Sequence, residues 1–137
     1  MKKALSFILS ALLLVSVFSI ASFAAENEAS VQPRWINTAS IDCIFEFENT
    51  KIGYAEMTVV GHIGTDKITG NIQIYRQNGS SWVLVEEDTI TKESRSFSMG
   101  VETTGVSGAY YKSVFTMTVY KDDVPKVITR TSYATCP

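Results

Sequence analysis

One histidine and two acidic runs are the residues of this 137-residue sequence that could carry out acid–base chemistry. The histidine is His62, and the runs are Glu86-Glu87-Asp88 and Asp122-Asp123. Sugar hydrolysis would need two carboxylates flanking a cleft. Glu86-Glu87-Asp88 instead closes an apolar run, where solvated charge is common. Asp122-Asp123 stands just before Pro125, where Asp favours turn geometry. His62 has Val60 and Thr58 along its strand face and no nucleophile near it in sequence, so it reads as a surface imidazole. Calcium could use Asp122 and Asp123, but the spacing of an EF-hand loop is missing. Asp42, Glu46 and Glu48 are spread too far along one strand for a single ion. A phosphate-cradling glycine loop, a Cys-x-x-Cys pair and a Ser/His/Asp arrangement are likewise missing from the sequence. These residues predict no catalytic site, no metal and no cofactor.

The aromatic residues offer different chemistry. In "RQNGSSWVLVEE", residues 76–87, two apolar runs meet at Asn78-Gly79 and a tryptophan follows. Asn-Gly signals a two-residue hairpin turn. With that turn Tyr75 opposes Trp82, Ile74 opposes Val83 and Ile72 opposes Val85. Directly opposed residues share a face. Val83 and Val85 should therefore join the isoleucines inside, with Trp82 outside beside Tyr75; a three- or five-residue turn would instead flip the strand and send Trp82 into the core. Such a pair contributes about 0.2–1 kcal/mol as a cross-strand contact. It could also serve as a ligand platform, because an amphipathic ring offers apolar area and a polar tip at low entropic cost. The candidate binding residues are Trp82, Tyr75 and Trp35, and Tyr54, Tyr110 and Tyr120 are further outward candidates.

The elements that must position these rings alternate with a period of two. "SIDCIFEFE" sets Ile41, Cys43, Phe45 and Phe47 against Asp42, Ile44, Glu46 and Glu48. "GYAEMTVVGHIG" turns Ala55, Met57, Val59 and Ile63 inward. "KITGNIQIYRQ" buries Ile68, Ile72 and Ile74, and "YYKSVFTMTVY" buries Tyr111, Phe115, Met117 and Val119. "WVLVEED", "RSFSMGV" and "KVITRTSYATC" complete seven strands. Breaks at "FENTKIG", "IGTDK", "QNGSS", "TTGVSG" and "YKDDVP" separate them. The pattern predicts an all-β fold, an antiparallel sandwich of about seven strands, with a small β-barrel as the alternative.

The N-terminus reads as an export signal. Lys2 and Lys3 precede an apolar stretch from Ala4 to about Ile20, and Ser22 and Ala24 supply a small-residue cleavage site. The expected division is a signal peptide over 1–24, a polar N-terminal arm over 25–37 and the sandwich over 38–137. Removal of Lys2 and Lys3 makes a chain of net charge −2 more acidic still. That balance argues against a nucleic-acid partner, and no second apolar stretch suggests a membrane span after signal removal. Two cysteines, Cys43 and Cys136, remain. In an exported chain an even count favours a disulfide, here worth about 4–5 kcal/mol through closure of a loop of about 90 residues. The alternative is two thiols held apart.

"TGNIQIYRQNGSSWVLVEED" and "SGAYYKSVFTMTVY" resemble bacterial extracellular Ig-like and fibronectin-III-like sandwiches, through Ile72, Ile74, Gly79, Trp82, Val85, Gly108 and Tyr110. With "VQPRW" after the signal, the chain also resembles small secreted proteins of clostridial, Gram-positive bacteria. The Cys-Trp-Cys spacing of antibody domains is not present. The resemblance implies a scaffold and brings no catalytic residue. The expected function is a secreted, non-catalytic interaction module that meets a protein or glycan at a cell surface. The alternatives are a carbohydrate-binding module built on the aromatics and a small secreted antagonist of the bacteriocin type.

Overall fold

A computed structural model describes residues 37–137. The expected signal peptide, the arm up to residue 36 and Trp35 lie outside the described residues. Seven strands follow in order: β1 (Thr38–Phe47), β2 (Ile52–Gly61), β3 (Thr65–Asn78), β4 (Ser81–Lys92), β5 (Ser96–Thr104), β6 (Tyr110–Lys121) and β7 (Val124–Thr135). They form a three-stranded sheet, β1-β2-β5, and a four-stranded sheet, β4-β3-β6-β7. Every pairing is antiparallel. The strands remain in two separate sheets, so the fold is a sandwich and not the alternative barrel. At the two sides β1 runs near β7 and β4 near β5. No helix among the described residues is long and apolar enough to cross a membrane.

Period-two alternation builds the core. Phe45, Ala55, Met57, Val59, Phe97 and Met99 of the smaller sheet meet Ile68, Ile72, Ile74, Tyr111, Phe115, Met117 and Val119 of the larger one. Each large apolar side chain fully buried there contributes about 1.5–3 kcal/mol. Gly70 leaves room for this packing: a Cβ at that position would lie 2.6 Å from both Met57 and the Phe97 ring. Asn37, at the last position of the expected arm, is buried and tied to the domain. Its carbonyl accepts the His62 N–H at 3.0 Å. Ile63, expected inside, is 82% exposed because β2 ends at Gly61 and Ile63 falls in the following turn.

The cysteines are separate thiols, which corrects the expected Cys43–Cys136 bridge. Cys136 is buried beside Phe47: a Cβ at Gly105 would lie 2.6 Å from both the Cys136 sulfur and the Phe47 ring. Cys43 lies four positions earlier on the same strand as Phe47, about 13 Å away at strand rise. A disulfide needs Cα atoms within about 7 Å. Cys136 is pinned in place, since its N–H donates to Ala109 O at 3.0 Å and its carbonyl accepts the Gly108 N–H at 2.9 Å.

Candidate functional site

The β3–β4 hairpin sets the first part of the site. Asn78 pairs with Ser81, so the two turn residues are Gly79 and Ser80 rather than Asn78 and Gly79. Gly79 has φ 61°, which suits glycine at the first central position of a tight hairpin turn. The register is therefore displaced from the expected one: Trp82 opposes Gln77, and Tyr75 opposes Leu84. The displacement preserves parity, so Trp82 and Tyr75 still share the outer face. A register shift between Ile74 and Tyr75 leaves Val85 without a partner, a β-bulge in β4. Val85 still packs half-buried against the core. Val83, expected inside, opposes Arg76 beyond the last buried isoleucine of β3 and is exposed.

The β6–β7 hairpin brings the second part. Lys121 pairs with Val124 across Asp122 and Asp123, whose φ values are 52° and 59°. Both central residues of a type I′ turn need positive φ, a conformation that Asp tolerates better than most residues. That register sets Tyr110 opposite Thr135 and Lys112 opposite Tyr133. Lys112 also pairs with Tyr75 on its other side.

Together the two hairpins gather a ring cluster at one end of the outer face of the four-stranded sheet. The ring centres of Trp82 and Tyr110 are 6.0 Å apart, those of Trp82 and Tyr133 6.3 Å, and those of Tyr110 and Tyr133 5.8 Å. Tyr110 and Tyr133 are parallel within 13°, whereas Trp82 is tilted from them by 47° and 56°. The surface is thus ridged rather than flat. Lys112 Nζ stands 4.5 Å from the centre of the Trp82 ring and 5.1 Å from that of Tyr75. Tyr110 and Tyr133 are 40% and 53% exposed, and Trp82 is half-buried.

A polar network borders the rings. Tyr75 Oη donates to Gln73 Oε1 at 2.9 Å, and Gln73 Nε2 donates to Glu87 Oε1 at 2.9 Å. Asn71 Nδ2 donates to the same Glu87 oxygen at 2.9 Å and to Thr89 Oγ1 at 2.8 Å. These planar amide and carboxylate groups sit on the same outer face as the rings and offer donors and acceptors to a polar ligand.

The other aromatic candidates lie elsewhere. Tyr120 is at the far end of β6, with Lys67 Nζ 4.3 Å from its ring centre. Tyr54 belongs to the three-stranded sheet, between Glu46 and Glu102 in register. A shallow depression of about 300 Å³ there is lined by Tyr54, Glu56, Ser98, Gly100 and Glu102, among others. His62 is exposed in the turn after β2. Glu86, Asp88, Asp122 and Asp123 are all exposed. Among the described residues no group of three His, Cys, Asp or Glu side chains converges to hold a metal.

Trp82 and Tyr75 thus belong to the cluster, and Trp35 lies outside the described residues. Sequence reasoning missed Tyr133 and Lys112. The signal was present: a two-residue Asp122-Asp123 turn sets Tyr133 opposite Lys112 by counting back along the strands.

No protein-family model matches this chain, and no curated protein matches it in sequence. Among solved structures it is similar to a Parabacteroides merdae β-glucuronidase, with 12% identity and a TM-score of 0.48 over 71% of this chain and 13% of that one. It is also similar to Spo0M, a sporulation control protein from Bacillus subtilis, with 8% identity and a TM-score of 0.40 over 74% of this chain and 50% of that one. Both likenesses are too distant to carry an activity across, and the two-sheet architecture rests on this chain's own strand pairing.

Proposed function

We propose that this protein is a secreted, non-catalytic binding module of Ig-like form that grips a carbohydrate with the outer face of its four-stranded sheet. The observation that carries this reading is the convergence of Trp82, Tyr110, Tyr133 and Tyr75 at one end of that face. Sugars present apolar C–H faces and polar rims, which match rings bordered by amides and a carboxylate. Aromatic side chains held by neighbouring strands lose little freedom on binding, so stacking costs little entropy.

Export rests on the basic start, apolar run and small-residue exit of the first 24 positions. Two features support the Ig-like form. Strands one, two and five oppose strands three, six and seven, as in immunoglobulin sandwiches, with β4 moved to the second sheet. Tyr111, at the start of β6, accepts the Val106 N–H on its hydroxyl at 2.9 Å, the bond of a tyrosine corner.

A glycan array probed with wild type, Trp82→Ala and Tyr133→Ala tests the reading. Signals on a defined set of glycans that both variants lose, with circular dichroism unchanged, support it. Equal signals from all three proteins, or none from wild type, overturn it.

A further inference from the structure

We infer that the ring cluster selects pyranoses that bear a carboxylate, with Lys112 as the residue that reads the charge. This inference rests on the carbohydrate reading above and names the class of sugar.

Lys112 lies amid the cluster. Its ammonium stands over Trp82 and Tyr75, and it is the register partner of Tyr133. No ion pair of Lys112 occurs among the described residues; its neighbours are ring faces. The carboxylate on this face, Glu87, is held by the amides of Asn71 and Gln73. The other cation of the face, Lys67, stands on Tyr120 at the far end. A ring quadrupole attracts an ammonium without neutralising it, so Lys112 keeps a full charge for an incoming anion. A sugar stacked on Tyr133 or Trp82 brings its exocyclic substituent toward that ammonium. A carboxylate there gains a charge-assisted hydrogen bond that a hydroxymethyl group cannot match.

The rest of the surface points the same way. The outer face of the three-stranded sheet carries Asp42, Glu46, Glu56 and Glu102 around Tyr54, and its strand positions hold no Lys or Arg. That face repels an anionic chain, while the face bearing Lys112 attracts it, so the field of the domain orients such a ligand toward the rings.

The shared chemistry is a carboxylated pyranose, found in uronic-acid chains and in sialylated glycans. Calorimetry on the full protein uses oligogalacturonate and sialyllactose, each beside its neutral counterpart, an oligogalactoside and lactose. The expected result is about tenfold tighter binding of at least one acidic ligand than of its neutral counterpart at low salt, with a preference that shrinks as salt rises. Lys112→Met keeps the aliphatic stem over the rings; it should remove the preference, bringing the acidic ligand down to the level of its neutral counterpart. Trp82→Ala should weaken both. Neutral ligands that bind as tightly as acidic ones, or a preference that survives Lys112→Met, would overturn the inference and leave the carbohydrate reading standing. Failure of every sugar to bind would overturn both.

Discussion

Trp82 and Tyr133 come from β4 and β7, the two edge strands of the four-stranded sheet, yet their ring centres are 6.3 Å apart. Three strand spacings separate those edges, about 14 Å at the usual interval. The two side chains therefore lean inward over β3 and β6 and meet above them, with Tyr110 alongside. The cluster ties the full width of the sheet together at one end. Aromatic contacts of this kind are worth about 0.5–1.5 kcal/mol beyond buried area. A double-mutant cycle on Trp82→Ala and Tyr133→Ala, read by urea denaturation, should give a coupling in that range. Strict additivity would show that the rings do not touch in solution.

Two hydroxyls on β6 should respond in opposite ways. Tyr111 Oη accepts the Val106 N–H at 2.9 Å. Tyr111→Phe strands that donor and should cost about 1–2 kcal/mol. Ser113, two positions on, is fully buried, and its hydroxyl has no partner among the described residues. Ser113→Ala removes an unpaired polar atom and should leave stability unchanged or raise it by up to about 1 kcal/mol. Thermal melts of the two variants check both signs. A marked loss in Ser113→Ala would reveal a partner for that hydroxyl.

The cysteines predict a thiol count and a pH dependence. Protein unfolded without reductant should release two reactive thiols, from Cys43 and Cys136. Burial pushes the Cys43 thiol from 9.0 up to about 11, with Asp42 adding to the rise and the Arg130 charge opposing it. The folded state thus favours the neutral thiol more than the unfolded chain does. The stability this confers is fully present below about pH 9 and is lost as pH climbs toward 11. Cys43→Ala should decline less steeply than wild type across that interval. Superimposable profiles would contradict the shift.

Much of the fold could be read from the strands because alternation is strict where both sheets cover a residue. β6 shows this best: Tyr111, Phe115, Met117 and Val119 are buried and their neighbours face outward, as expected. Legibility failed where cover ends. Ile63 and Val83 continue an apolar alternation past the last covered position, and periodicity carries no information about where the opposite sheet stops. The bulge in β4 was equally invisible, because an unpaired residue leaves no mark on composition. For the site, hairpin parity found the side of the sheet on which Trp82 stands. It did not find the cluster, which required the registers of both hairpins together. The cysteines failed for another reason: count and export context favour a bridge, but Cys136 is drawn to Phe47 and not to Cys43.

The carbohydrate reading is tested most directly by the fluorescence of Trp82. The sequence holds two tryptophans, so Trp35→Phe leaves Trp82 as the reporter. Titration with oligogalacturonate should change its emission saturably, with the same midpoint that calorimetry gives, because the sugar must replace water on the exposed part of the ring. Binding detected by calorimetry with Trp82 emission unaltered would place the ligand elsewhere on the protein and contradict the account.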